Sequence, residues 1–112
     1  MSDPRLPTQI KQPWEERLYD FDFRSPEVRP EEHLVPDGRS IASVDSVDVM
    51  PSTPSGDETL EIVGQPATNE AAVVQARFKG GANGEDYRIR VRVVDDLNQK
   101  IEGDAVMQVR DL

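Results

Sequence analysis

The 112-residue chain has no cysteine. That excludes disulfides and thiolate metal sites, and with them the usual stapling of small secreted domains. It has a single histidine, His33, with no partner residue nearby in sequence. Nucleophilic catalysis needs a nucleophile, a base and an orienting group, so few options remain. Neither a Gly-x-Ser-x-Gly elbow nor a Walker-type loop is present. Positive charge is short as well: 13 Lys and Arg stand against 22 Asp and Glu, a net charge of −9. Such a chain repels a phosphate backbone, so no nucleic-acid partner is expected. No apolar run approaches the ~20 residues needed to span a bilayer, and Met1 to Pro7 has no apolar leader core. Neither a membrane partner nor a secretory signal is expected, and cytoplasmic assembly fits best. Hydrophobic residues make up 36%, below the roughly 45–50% usual for globular domains, a figure that also counts Gly. One small core is the expectation, with part of the chain outside it and little room for a deep active site.

What is present is unevenly spread. Six of the nine prolines lie in the first 40 residues: Pro4, Pro7, Pro13, Pro26, Pro30 and Pro36. Proline fixes φ, removes a donor and biases its predecessor to extended geometry. Residues 1–40 therefore read as an extended N-terminal arm and linker. Within it, Trp14, Tyr19, Phe21 and Phe23 are four of the chain's six aromatics. Tyr19, Phe21 and Phe23 alternate with Asp20 and Asp22, so an extended strand over 17–23 puts three rings on one face. That strand has two readings: an edge strand covering the core at home, or a docking strand for another subunit. Gln9 to Leu18 has the makings of one helical turn around Trp14–Arg17. Arg24 to Ser40, which contains His33, reads as a loop.

From residue 41 to 112 the chain reads as β. Strands are expected at Ile41–Met50, where Asp45 and Asp48 suggest a bulge, and at Leu60–Gly64, ended by Pro66. Further strands are expected at Ala71–Lys79, Asp86–Val94 and Lys100–Arg110. With the aromatic strand this gives about six. The segment Gly80 to Val94 is the most informative. A glycine-rich corner runs into strict alternation, with Tyr87, Ile89, Val91 and Val93 on one face and Arg88, Arg90 and Arg92 on the other. Period-2 alternation of this length marks a half-buried antiparallel strand. A Tyr opening such a strand after a Gly-containing corner resembles the tyrosine corner of immunoglobulin-like sandwiches. The predicted fold is all-β: a small immunoglobulin-like antiparallel β-sandwich with an extended proline-rich N-terminal arm. Gly80, Gly81, Gly84 and Tyr87 are assigned structural roles, the glycines supplying positive φ.

The corner lacks the Lys and Ser/Thr of a phosphate loop and precedes a strand, so no helix N-terminus is available for an anion. The carboxylate pairs Asp45/Asp48, Asp57/Glu58, Glu85/Asp86 and Asp95/Asp96 could ligate Ca²⁺, which needs 6–8 oxygens, but no EF-hand spacing is present. They read as a solvated acidic surface. No catalytic residue, metal site or cofactor is assigned, and the chain is not expected to be an enzyme. The Arg88, Arg90, Arg92 row, spaced about 6.8 Å, admits two roles. It can pair across strands with Glu102 and Asp104, or it can form an interface stripe. The candidate interface residues are Trp14, Tyr19, Phe21, Phe23, Arg88, Arg90 and Arg92.

In order along the chain, Lys11-Gln-Pro-Trp-Glu-Glu-Arg-Leu-Tyr-Asp-Phe-Asp-Phe23, Gly38-Arg-Ser-Ile-Ala-Ser43 and Lys79-Gly-Gly-Ala-Asn-Gly-Glu-Asp-Tyr87, with the closing alternating strand, resemble small structural proteins of tailed bacteriophages. These are described as phage fiber-tail adaptor or neck proteins. The resemblance covers about residues 11–110. Lys79 stands where that pattern has Ser, Arg39 where it has an acidic residue, and Arg24 to Pro36 is longer than typical. The resemblance implies a multi-copy virion component, assembled in the host cytoplasm, that joins neck or tail to fibers. Its partners would be neck, tail or fiber subunits, with further copies in a homo-oligomeric ring. Two alternatives stand beside it: a capsid decoration protein, and a carbohydrate-binding immunoglobulin-like module using Trp14 to Phe23 as an aromatic platform.

Overall fold

The computed structural model describes residues 6–24, 34–35, 39–51, 60–69 and 72–111. His33, Asp57, Glu58 and most of the proline-rich loop after Arg24 lie outside them. Seven strands are present among the described residues: β1 (Gln9–Lys11), β2 (Arg17–Asp22), β3 (Ile41–Pro51), β4 (Leu60–Asn69), β5 (Val73–Gly80), β6 (Asp86–Asp95) and β7 (Lys100–Val109). They form two sheets, ordered β1-β7-β6-β3 and β2-β5-β4. All pairings are antiparallel except β1 with β7. A three-stranded sheet faces a four-stranded one that carries a short parallel first strand. This is the seven-strand arrangement of an immunoglobulin-like sandwich.

Alternation explains why these segments are strands. On β5, Val74, Ala76 and Phe78 are buried, and on β6, Tyr87, Ile89, Val91 and Val93 are buried. Their neighbours in sequence face outward, as a period of 2 requires. Ala105, Met107 and Val109 of β7 complete the inner face of that sheet. From the other sheet come Leu60, Phe78 and the rings of Tyr19 and Phe21. Tyr19 and Phe21 both meet Phe78 edge-on, with centroids 6.1 and 5.9 Å apart, the arrangement ring quadrupoles favour. At Gly103 an added Cβ would lie 2.7 Å from Leu34 Cδ1 and 3.2 Å from Leu6. The missing side chain lets these two leucines cover β7 beyond the end of short β1.

The segment expected as an arm therefore supplies a strand to each sheet, and the expected division at residue 40 does not follow the sheets. β1 was not anticipated. It is three residues long between Pro7 and Pro13, and its partner lies 98 positions away, Gln9 opposite Met107. β4 does not end at Pro66 but runs to Asn69. Its pairing with β5 is interrupted between Val63 and Ala67, where Gly64 has φ 76°. A proline is tolerated there because β4 is an edge strand.

Each sheet edge is blunted. β1 is short and proline-bounded. β2 carries outward Asp20 and Asp22, and its Asp20 carbonyl accepts from Gln9 Nε2 at 2.8 Å. β3 has two register shifts, near Ala42 and Asp45, as the sequence suggested. β4 has the Gly64–Pro66 break. Charge, bulges, proline and shortness are the usual defences against strand addition.

Candidate interface at the β1–β2 edge

The turn joining β1 to β2 is built by its own sequence. Pro13 takes the second position of a four-residue turn, where its fixed φ belongs. The Glu15 N–H donates to the Gln12 carbonyl at 3.1 Å. Glu15 Oε1 accepts from the Gln12 N–H at 2.9 Å. That bond is the main reason the Glu15 carboxyl sits below its usual pKa, with Arg17 and Lys11 adding to it. The helical turn suggested by the sequence is this β-turn.

Lys11 fixes the turn from beneath. It is fully buried at 0% exposure, because it faces inward beside Val109. Its three ammonium protons find three carbonyls: Gly80 at 2.7 Å, Gln12 at 2.8 Å and Pro13 at 3.3 Å. Burial pushes the Lys11 pKa down, opposed by Glu15. The ammonium thereby ties the turn to the corner that ends β5.

At the tip of this clamped turn, Trp14 is 95% exposed. Ile10 on β1 and Leu18 on β2 are 55% and 49% exposed. Three of the four exposed large hydrophobic side chains among the described residues thus fall within nine positions, the fourth being Leu97. Singly scattered exposed apolar residues are ordinary; these three all flank one turn, which singles out this edge of the sandwich. Ile10 and Leu18 were missed from the sequence, although the outward phase of the Tyr19–Phe23 alternation leads directly to Leu18.

The other expected interface residues lie elsewhere. Tyr19, Phe21 and Phe23 are 7%, 0% and 1% exposed. They are core, which corrects their assignment to an interface. The home-covering strand is the reading the structure has. The rings were expected on one face, and they are, but that face looks inward. The same burial removes the aromatic platform a carbohydrate-binding module would need, leaving Trp14 as the segment's exposed ring.

Arg88, Arg90 and Arg92 face outward and are engaged within their own sheet. Arg90 holds Asp104 through two bonds at 3.0 and 3.3 Å. Arg88 reaches Asp104 at 3.4 Å and Arg92 holds Glu102 at 2.7 Å. The register sets these pairs, with Arg90 opposite Asp104 and Arg92 opposite Glu102. Asp104, only 8% exposed, hydrogen-bonds Arg90 and raises its pKa. Any contact of this face with another chain would meet a neutralised lattice, not a free basic stripe.

At the corner, the Tyr87 hydroxyl accepts from the Ala82 N–H at 3.0 Å, five residues upstream. Gly80, Gly81 and Gly84 have φ of 78°, 97° and 90°. A Cβ on Gly81 would come within 2.9 Å of Val109 Cγ2, so both conformation and packing call for glycine there. At the far end of β6, Arg39 bridges Asp95 and Asp96, and the Asp95 carboxylate caps the Leu97 and Gln99 N–H groups. Among the described residues there is no group of three or more metal-ligating side chains and no helix long and apolar enough to cross a membrane.

Together these features define an immunoglobulin-like β-sandwich that displays apolar side chains from a clamped edge. A family model described as the podophage GP4 fiber-tail adaptor protein gp77 matches residues 11–108, and the chain belongs to that family of phage structural adaptors. Comparison with curated proteins gave no significant match.

Proposed function

We propose that the chain is a non-enzymatic, multi-copy component of the virion that joins the tail or neck to fibers, and that the β1–β2 edge is where it docks. Family membership supports the adaptor role. The observation that carries the docking edge is the placement of Trp14, 95% exposed on a turn held by its own hydrogen bonds and by buried Lys11. The backbone that displays it is already ordered and loses little conformational freedom on binding, and Trp is among the residues that dominate interface energetics. Copies arranged as a ring around the neck, assembled in the host cytoplasm, would multiply a modest single contact through avidity.

The test is a phage in which this chain is not made. Particles should form heads and tails but lack fibers, and purified chain added to them should restore fiber attachment. Fibers attached normally in its absence would refute the adaptor role.

A further inference from the structure

We propose that the β1–β2 edge is a wedge, and that its occupant is a concave apolar pocket with a basic rim on a different virion protein. This rests on the adaptor reading and specifies the partner's shape and charge.

The shape follows from the register. Lys11 lies inward beside Val109, so Ile10, beside Gln108, lies on the outer face of the β1-β7-β6-β3 sheet. Tyr19 lies inward beside Ala76, so Leu18, beside Arg77, lies on the outer face of the other sheet. Trp14 caps the turn between them. The three apolar side chains thus point to both flanks and the tip of one edge, across sheets packed about 10 Å apart. A flat surface reaches the tip alone, whereas a pocket closing around the edge reaches all three.

A second copy of the chain does not fit as occupant. The three side chains offer on the order of 300 Å² of exposed apolar surface. Two such edges are both convex, so they would meet at their tips and leave Ile10 and Leu18 uncovered, well short of the roughly 1,200 Å² at which stable interfaces begin. Each copy also carries −9, and like charges brought together at a contact repel. Around the edge, four carboxylates, Glu15, Glu16, Asp20 and Asp22, stand against two cations, Arg17 and Arg77, which pair with Glu15 and Glu16, so Asp20 and Asp22 are in excess. That favours a rim of Lys and Arg on the partner. Strand addition is disfavoured by the blunted edges, so side chains and not backbone would carry the contact.

Purified full-length protein titrated onto particles assembled without it provides the test. Trp14→Ala should weaken binding at least 30-fold, and Ile10→Ser and Leu18→Ser at least fivefold each. Wild-type binding should weaken steadily as salt is raised. Hydroxyl-radical footprinting of the wild-type protein needs no variant to fold, and it should show Ile10, Trp14 and Leu18 protected together on the particle. Protection of Trp14 alone, with the Ile10 and Leu18 variants binding as wild type, would overturn the wedge in favour of a flat contact. Wild-type binding by the Trp14 variant would overturn the edge as the docking surface. Self-association of the free protein that is lost with these variants would make a second copy the occupant. Failure of the wild-type protein to bind such particles at all would instead overturn the adaptor reading beneath it.

Discussion

Replacing Lys11 with Met separates the two jobs this residue could have, supporting the core and holding the turn. The substitution keeps the length and apolar stem of the side chain but removes the ammonium. Two large terms then oppose each other. Three hydrogen bonds from a charged donor disappear, each worth roughly 1.5–3 kcal/mol net, with the 3.3 Å bond to Pro13 at the weak end. The penalty for burying an ammonium, several kcal/mol after relaxation, disappears too. No carboxylate pairs with Lys11 within salt-bridge distance in the described structure; its bonds go to the Gly80, Gln12 and Pro13 carbonyls. The balance is therefore close, and the Gln12 and Pro13 carbonyls lie in partly exposed residues where water can replace the lost donor. The expected global cost is about 1–2 kcal/mol, which shifts the melting temperature of a domain this size by roughly 5–15 °C. The local effect should be much larger, because the turn loses its tie to Gly80. Trp14 is the only tryptophan, so its time-resolved fluorescence anisotropy reads turn mobility directly. The variant should show a new fast component of large amplitude while urea melts remain cooperative with an unchanged m-value. An unchanged anisotropy decay would mean that the Gln12–Glu15 bonds suffice and that the clamp is incidental. A loss beyond about 4 kcal/mol would mean that Lys11 is a core keystone, and the account of competing terms would fail.

Three further outcomes are expected. Phe21→Ala, which empties a fully buried position against Phe78, should cost about 3–5 kcal/mol in urea unfolding; a cost under 1 kcal/mol would show that β2 does not close the core. Tyr87→Phe leaves the Ala82 N–H without its acceptor and should cost about 1–2 kcal/mol, with hydrogen exchange at Ala82 accelerated more than elsewhere; equal acceleration throughout the sheet would refute a local role. The Glu15 carboxyl, held below its ordinary value by the Gln12 N–H, gives the turn a pH dependence. Its contribution is present above the unfolded pKa, near 4.3, and is lost as pH falls through the lower folded value. Trp14 anisotropy should therefore drop in that acid window in the wild-type protein, and the drop should be absent in Glu15→Gln, whose amide oxygen can still accept.

How much of this was readable beforehand depended on whether the signal was local. The Gly80–Val94 element was legible because its corner and alternation are contained in fifteen consecutive residues. β1 was not, because three residues between prolines carry no periodicity and the strand exists through its pairing with β7. Pro66 misled for a related reason. A proline ends a central strand, but β4 is an edge, and which strand is an edge is a property of the whole sheet. The Arg row was legible as a row, and its pairing with Glu102 and Asp104 follows once β6 and β7 are placed in register. Arg39 is a comparable case: its place against Asp95 and Asp96 joins residues 56 and 57 positions apart.

The aromatic segment shows where sequence reading stops for a protein that works by contact. Alternation establishes that Tyr19, Phe21 and Phe23 share a face and that Leu18, Asp20 and Asp22 share the other. It does not say which face another chain would touch. Aromatic residues are the natural choice for either a core or an interface, because the same area and ring geometry serve both. The deciding fact lies outside the segment: Val74 and Phe78 on the neighbouring strand β5 turn their apolar side chains toward Ile89, Val91 and Met107 of the sheet opposite, and the rings join that core. What remains for docking is what the core cannot absorb, the Trp14 turn and the single apolar residue on each flank. On β2 the core and the exposed contact are thus divided between the strand's two phases, and on β1 the same division separates buried Lys11 from exposed Ile10. Mutations on the inner phase should cost stability first, and those on the outer phase should cost assembly alone.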